Sequence, residues 1–304
     1  MSAKTIVILG GEDDDHASFM HEHLAAAGCD VELLDSRWFP TAMQIAYDPA
    51  SGRGSIRLPS GRLLALAAIR SVYWRNYFGV GCPELPDADQ AWIASNDSRS
   101  LLESLLQLLP VRWVNGWQAF QLHQTKAVQF FQVRRLGVPV PPTLLTNDPQ
   151  TVREFVESHR RCIVKPVQGG DHTVPLTVEE LTPDRLEHLR LAPITVQAEV
   201  PGTNIRVFVA GDRVLACEVR TPALDYRADA EPELLVHQLP PEIAAMSRQI
   251  ARELSLLWTG IDFRLTPDER YVFLEANPSP MFLGFEEATG LPLTECLTEL
   301  LVAE

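Results

Sequence analysis

The 304-residue sequence is short of basic residues: 26 lysines and arginines stand against 40 aspartates and glutamates, a formal net charge of −14. Sequence-independent binding to a phosphate backbone needs many cations, so this balance argues against a nucleic-acid partner. Long apolar runs are also lacking. None approaches the roughly 18 residues of a membrane span, and the acids after the short apolar start are unlike a signal peptide. We therefore expect a cytoplasmic protein with no membrane partner.

Cysteines and common catalytic motifs are scarce too. The five cysteines are scattered and never spaced C-x-x-C, which argues against a disulfide framework or a zinc knuckle and favours reduced thiols. No G-x-G-x-x-G, G-x-S-x-G or H-E-x-x-H motif is present. The sequence therefore lacks the usual motifs of a dinucleotide-binding loop, a nucleophilic serine and a zinc protease. What remains is a globular composition, 46% apolar and 22% charged, and a length that predicts about two or three domains.

Strand and helix patterns divide the chain into three predicted domains. A strand–helix–strand opening over residues 5–34 and a hairpin over 47–64 predict a parallel α/β layer at 1–112. The second domain, 113–192, begins with a predicted helix over 118–136, which Gly137 and the following prolines end. The third, 193–304, has longer strands with alternating polar residues, typical of an α+β unit.

Acidic and amide side chains near the C-terminus predict a metal site. Asp262 lies in the middle of one predicted strand, and Glu275 and Asn277 lie two apart on the next. Side chains two apart on a strand share a face, so pairing of the strands would bring three oxygen ligands together. Magnesium binds few carboxylates and keeps water or phosphate as further ligands. The alternative is a solvent-facing hairpin, but unpaired carboxylates among such apolar neighbours would be costly.

Two lysines are candidates for phosphate binding. Lys165 ends a Cys-Ile-Val strand and is followed by Gln168, Gly169 and Gly170, where glycines permit close backbone approach to a ligand. Lys126 lies in a helix with no other lysine. Each has a simpler interpretation: Lys165 as an edge-strand lysine that discourages aggregation, and Lys126 as part of a solvated helix face.

A hinge and two arginines follow. The apolar strand that ends in Gln197, Ala198, Glu199 and Val200 runs into Pro-Gly, and backbone groups of such a hinge can bind an adenine edge. Asn204 and Arg206 alternate on the next predicted strand, and Arg220 ends the one after it. Two arginines on adjacent strands could form a fork for phosphate or carboxylate. Their alternative is an exposed basic face that offsets the acidic surplus.

Taken in order, these residues resemble the ATP-grasp ligase superfamily, over roughly residues 113–304. The resemblance implies an ATP-grasp fold preceded by a Rossmann-like pre-ATP-grasp domain. It also implies ATP held between two lobes, with magnesium or alternatively manganese, and activation of a carboxylate as an acylphosphate. The implied roles are nucleotide phosphates for Lys126 and Lys165, adenine for 197–200 and ribose for Asn204. The remaining implied roles are the acylphosphate for Arg206 and Arg220, and the metal for Asp262, Glu275 and Asn277.

The N-terminal third resembles a narrower group. Segments such as Val72-Tyr-Trp-Arg-Asn76 and Pro141-Pro-Thr-Leu-Leu-Thr-Asn-Asp148 are similar to those of microviridin-type maturases of ribosomally made peptides. The glutamate ligases of ribosomal protein and glutathione synthesis share the C-terminal part. We expect a carboxylate–amine or carboxylate–alcohol ligase that acts on a peptide and is able to form a homodimer. A ligase for a free amino acid or small metabolite and a non-catalytic nucleotide-binding protein are the alternatives.

Overall fold

The computed structural model describes residues 4–168, 173–223, 229 and 231–303. Within them, the N-terminal part forms a parallel sheet of order β2-β1-β6-β7 with helices beside it. Its elements are β1 (Thr5–Leu9), α1 (Asp15–Ala26), β2 (Val31–Leu34), β3 (Gln44–Asp48), β4 (Arg53–Arg57), β5 (Leu63–Ala65), β6 (Ile69–Trp74), α2 (Ala88–Leu108) and β7 (Arg112–Val114). The α/β layer is confirmed, and the predicted hairpin is a separate antiparallel sheet of order β3-β4-β5.

The middle part forms an antiparallel sheet of order β10-β9-β11-β8. Its elements are α3 (Trp117–Gln124), α4 (Lys126–Arg135), β8 (Thr143–Thr146), α5 (Pro149–Ser158), β9 (Cys162–Pro166), β10 (Val174–Leu176), α6 (Pro183–Glu187) and β11 (Ile194–Ala198). The single helix predicted over 118–136 was wrong. Thr125 has non-helical dihedral angles, and its hydroxyl bonds to the carbonyls of the preceding turn, so the chain breaks there and restarts at Lys126.

The C-terminal part is an antiparallel sheet of order β14-β13-β12-β15-β16. Its elements are β12 (Thr203–Ala210), β13 (Arg213–Arg220), β14 (Glu233–Val236), α7 (Pro241–Glu253), β15 (Trp258–Leu265), β16 (Tyr271–Asn277), α8 (Leu283–Thr289) and α9 (Leu293–Val302). β11 hydrogen-bonds to β8 and β9. The middle sheet therefore extends past the predicted boundary at 192/193, because backbone pairing assigns this strand to the preceding lobe. The three-domain division otherwise stays a prediction.

One apolar core joins the N-terminal and C-terminal sheets. Ile6 and Tyr73 of the first sheet belong to the same buried cluster as Phe208 and Trp258 of the last, with α9 contributing Leu297. The middle lobe has a separate cluster around β9 and β11. All five cysteines lie in the described part of the chain and are free thiols. Among the described residues, no helix has the length and apolar character that crossing a bilayer requires.

Polar side chains of the N-terminal part also hold the segment after β16, residues 278–282. His16 Nε2 accepts hydrogen bonds from the backbone amides of Phe282, at 2.9 Å, and Leu283, at 3.4 Å. Asn115 is buried and uses both ends of its amide: Nδ2 donates to the Pro278 carbonyl, and Oδ1 accepts from the Trp258 amide. These bonds join residues more than a hundred positions apart along the chain, so they tie the segment after β16 to distant parts of the fold.

His16 predicts a pH-dependent stability. Burial, followed by the charge of Arg75, lowers the pKa of His16 from 6.5 to about 4. A lowered histidine pKa means that the unfolded chain takes up the proton first, so stability is full above about pH 6.5 and falls as the pH drops toward 4. His16→Gln keeps an acceptor but cannot titrate. Between about pH 7.5 and about pH 5, the wild type should lose about 2 kcal/mol more unfolding free energy than this variant in urea melts. Equal losses of unfolding free energy in the wild type and His16→Gln would contradict the lowered pKa of His16.

Candidate active site

A cavity of about 430 Å³ lies between the middle and C-terminal sheets. Lys165 and Glu275 both line this one cavity. It brings together most of the residues singled out in the sequence: Lys126, Lys165, Gln168, Gln197, Glu199, Val200, Asn204, Arg206, Asp262, Glu275 and Asn277. Ala198 is not among its lining residues. Gly169 and Gly170 lie outside the described residues.

The acidic end of the cavity is built by the paired strands β15 and β16. Asp262 lies directly opposite Glu275, and Gly260 opposite Asn277, so the three predicted ligands share one sheet face. A register shift follows Asp262, where Phe263 pairs with Phe273. The strand pairing that the sequence required is therefore present, with an irregularity beside the acids of the kind that re-aims side chains near active sites.

Each of these two acids is held by a cation. Lys126 Nζ donates a hydrogen bond to Glu275 Oε2, and Arg206 Nη1 donates to Asp262 Oδ2 at 2.7 Å. Burial alone would raise the pKa of Glu275, but the Lys126 ammonium lowers it well below its usual range, so Glu275 is a carboxylate at neutral pH. The cations predicted to bind phosphate thus neutralise the acids predicted to bind metal.

The donor set fits magnesium. Asp262, Glu275 and Asn277 offer carboxylate and amide oxygens only, which suits a hard cation. No group of three or more histidine, cysteine or acidic side chains able to hold a metal occurs among the described residues. A site with two carboxylates therefore needs further oxygen ligands, and magnesium takes these from water and nucleotide phosphates.

The opposite wall is formed by the middle sheet. Lys165 pairs in register with Thr195, and its Nζ lies 3.4 Å from Gln197 Oε1 and 5.9 Å from the Phe130 ring centroid. Gln197 is buried, and its Nε2 donates to Thr143. Strand pairing thus aims a lysine and an amide into the cavity from the side that faces the acids.

A glycine makes room for Arg206. Arg206 is buried, and its Cζ lies 5.6 Å from the Phe208 ring centroid. A Cβ on Gly260 would sit 2.7 Å from Arg206 Cζ, so only glycine at this position lets the guanidinium lie across β15. Sequence reasoning missed this residue, because its reason is a close approach from a neighbouring strand.

We expect Gly260→Ala to fold but to displace Arg206. The clash falls on the far end of a flexible side chain, which can move. Misplacing a charged group by about 1 Å can cost up to about a hundredfold in rate, so a loss of about tenfold to a hundredfold in kcat for nucleotide consumption should follow. Gly284→Ala is the matched control, since a Cβ there meets nothing within 4 Å. Equal activity of the two variants would contradict the role of Gly260 in making room for Arg206.

Arg220 does not join the cavity. In the register of β12 and β13, Arg206 faces Cys217, so Arg220 lies three residues further along and projects from the opposite face. Its guanidinium is half-exposed and bonds to Glu218, at 2.7 Å, and Glu233, at 3.5 Å. The predicted arginine fork is therefore not formed, because the two side chains are out of phase.

Two residues that position β16 were also missed. Gln129 pairs with the backbone of Ala276 in both directions, at 2.9 Å each, and His123 Nδ1 lies 3.2 Å from the Ala276 carbonyl. Burial, then the charge of Lys126, lowers the pKa of His123 to about 4, so it is neutral at neutral pH. Lys126 and Gln129 lie three apart on α4 and so share a helix face, which is the signal that could have found Gln129. His123 lies on α3, before the break at Thr125, and that spacing does not reach it.

Comparisons with known proteins agree with this geometry. A family model of the RimK-like ATP-grasp domain matches residues 122–301. The ATP-grasp ligase PsnB, solved with a phosphomimetic variant of a minimal precursor, Mg and ADP, is 30% identical, with a TM-score of 0.85 over 99% of this chain and 98% of that one. Macrocyclase MdnC of Microcystis aeruginosa, solved with precursor peptide MdnA, shares the fold at 22% identity and a TM-score of 0.84, over 99% of each chain.

A curated relative is a probable alpha-L-glutamate ligase of Shewanella frigidimarina, 25% identical over 189 residues. The match covers 58% of this chain and 62% of that protein, so the chain spans less than two thirds of this relative. The matched family region contains the whole acidic end of the cavity and both lysines. The chain therefore belongs to the RimK-like ATP-grasp family.

Proposed function

We propose that this protein is an ATP-dependent ligase that activates a carboxylate as an acylphosphate and joins it to an amine or alcohol of a peptide. The observation that carries the proposal is the single cavity, with Lys165 and Gln197 on one wall and Asp262, Glu275 and Asn277 on the other. A triphosphate needs cations along its length and a metal at its end, and this arrangement offers both.

The residues would divide the work by position. Lys165 and Lys126 neutralise nucleotide phosphates, and Arg206 faces the phosphoryl group in transfer, where positioning and charge supply most of the rate. Asp262, Glu275 and Asn277 would hold magnesium, which offsets phosphate charge when bound. Gln197 to Val200 would bind adenine, with Asn204 near the ribose. Arg220, on the opposite face of the sheet, is left out of this set. ADP and phosphate are the by-products.

A peptide substrate is favoured by the whole-chain likeness to PsnB, which was solved with its precursor. The curated relatives are named as probable alpha-L-glutamate ligases, which favours the second candidate, a ligase for a free amino acid or small metabolite, but only over the matched part of the chain. We place the protein in the cytoplasm, where ATP is supplied and the five free thiols stay reduced.

The deciding experiment measures ADP release in the presence of candidate acceptors and then the product mass. A peptide rich in Thr, Asp and Glu should stimulate ADP release and lose the mass of one water for each ring formed. Free glutamate as the better stimulant, with a gain in product mass, would support the second candidate. ATP hydrolysis that no acceptor changes would overturn the ligase proposal.

Nucleotide binding itself predicts a stability change. A ligand that binds only the folded state raises its melting temperature. ATP with magnesium at about a hundred times the dissociation constant should add about 2.7 kcal/mol of unfolding free energy. Thermal melts with ATP and magnesium together, and with either alone, check this. An unchanged melting temperature at millimolar ATP would contradict a nucleotide site.

A further inference from the structure

The segment after β16, residues 278–282, connects the acidic end of the cavity to the N-terminal sheet. Its first part is bonded back to Asn277: the Ser279 amide donates to Asn277 Oδ1 at 2.9 Å. The Asn277 carbonyl in turn accepts from Thr259 Oγ1 at 2.8 Å. The orientation of the Asn277 amide group therefore depends on where Ser279 is held.

Ser279 is held by Arg75, which lies just after β6. Arg75 Nη1 donates to the Ser279 carbonyl at 2.8 Å and to Ser279 Oγ at 2.9 Å, and Ser279 Oγ donates to the Arg75 carbonyl at 2.9 Å. Arg75, one residue of the N-terminal part, thus makes three hydrogen bonds to one residue of the segment. A guanidinium is the side chain that can do this while also bonding elsewhere through Nε.

Arg75 is itself fixed by Asp14, the cap of α1. Arg75 Nε donates to Asp14 Oδ1 at 2.9 Å, and their side chains are 10% and 12% exposed. Asn76 Nδ2 donates to Asp14 Oδ2, and the Ala17 amide donates to Asp14 Oδ1. Every oxygen of this carboxylate is bonded, so the pair is a rigid buried unit and not a mobile surface ion pair.

We infer that Arg75, fixed by Asp14, is a positioning residue of the nucleotide site: through Ser279 it sets the orientation of Asn277. This rests on the proposed function, in which Asn277 is a metal ligand. Arg75 is not among the residues that line the cavity. The N-terminal sheet then acts on the phosphate end of a cavity that it does not line, and loss of Arg75 weakens metal binding more than it weakens folding.

The test compares Arg75→Met with Arg62→Met. Arg62 makes a similar ion-pair cluster in the N-terminal part, with Asp30 at 2.8 Å and Glu32 at 2.6 Å, and has no described bond to the segment. Manganese titrations with ADP, followed by electron paramagnetic resonance, measure metal affinity without turnover. Residues that orient metal ligands typically contribute about tenfold to a hundredfold in affinity. We expect that loss for Arg75→Met and none for Arg62→Met.

Ser279→Ala tests the same contact if the Arg75 variants do not fold. It removes the two hydrogen bonds of Ser279 Oγ with Arg75 and leaves the bond from Arg75 to the Ser279 carbonyl. It should lower manganese affinity by a smaller factor and raise the magnesium concentration needed for half-maximal ADP release, with the KM for peptide unchanged. Arg75→Lys should retain part of the affinity. Equal affinity of wild type, Ser279→Ala and Arg75 variants would overturn the inference and leave the ligase proposal intact. Failure of the wild type to bind manganese with ADP would overturn both.

Discussion

Glu275→Gln should abolish nucleotide consumption while leaving the protein folded. The Glu275 carboxylate accepts a hydrogen bond from the Lys126 ammonium and lies opposite Asp262. It therefore both orients the lysine and contributes a ligand to the predicted metal site. The amide keeps the shape but loses the charge. Removing one charge-stabilising group from such a site typically lowers the rate about a hundredfold to a thousandfold. ADP release under saturating ATP and magnesium measures this loss, and circular dichroism checks the fold.

A matched control separates this effect from the effect of removing any one carboxylate from the protein. Glu295→Gln removes an exposed carboxylate on α9 that contacts only the outer Arg213 within the described ion pairs. Its activity should be that of the wild type. Turnover retained by Glu275→Gln would count against both the metal assignment and the role of Lys126 that depends on it.

Arg206→Lys should cause the second large loss. Arg206 is buried on β12, donates to Asp262 and lies over the space that Gly260 leaves open. A lysine keeps the positive charge but not the planar group that can bond to Asp262 and to a phosphoryl oxygen at once. We expect kcat to fall about a hundredfold or more, with a smaller change in the KM for ATP, because the interaction matters most in the transition state.

Arg213→Lys is the control for this substitution, since Arg213 is a solvent-facing residue on the neighbouring strand, paired with Glu299 at 2.9 Å. It should leave kcat unchanged. If Arg206→Lys instead raised the KM for ATP with kcat retained, Arg206 would bind the nucleotide ground state and would have no special part in phosphoryl transfer.

The sequence predicted the acidic end of the site because strand alternation is a local property. Glu275 and Asn277 had to share a face once β16 formed, and the pairing with Asp262 followed from two strands joined by a short turn. Arg220 shows where the same reasoning was incomplete. The two-residue turn after Ala210 pairs it with Arg213 and so places Arg206 opposite Cys217. Carrying that register along the strand would have shown Arg220 to be out of phase.

Other parts of the site depend on contacts that no local pattern contains. His16 bonds to the amide of Phe282, and Arg75 to Ser279, across more than two hundred residues. Gly260 is required by a side chain on another strand. The break at Thr125 follows from a hydroxyl that bonds to its own helix, in a stretch whose apolar periodicity alone favours one continuous helix. Such features follow from the assembled packing, which the sequence pattern does not specify.

The apolar cluster shared by the first and last sheets has a consequence for the expression of truncated fragments. The family region begins at residue 122, which invites expression of that part alone. Yet Phe208 and Trp258 belong to the same buried cluster as Ile6 and Tyr73. A fragment without the N-terminal sheet would expose the C-terminal part of this apolar cluster to water, and we expect it to aggregate. Soluble preparations should therefore retain the N-terminal sheet.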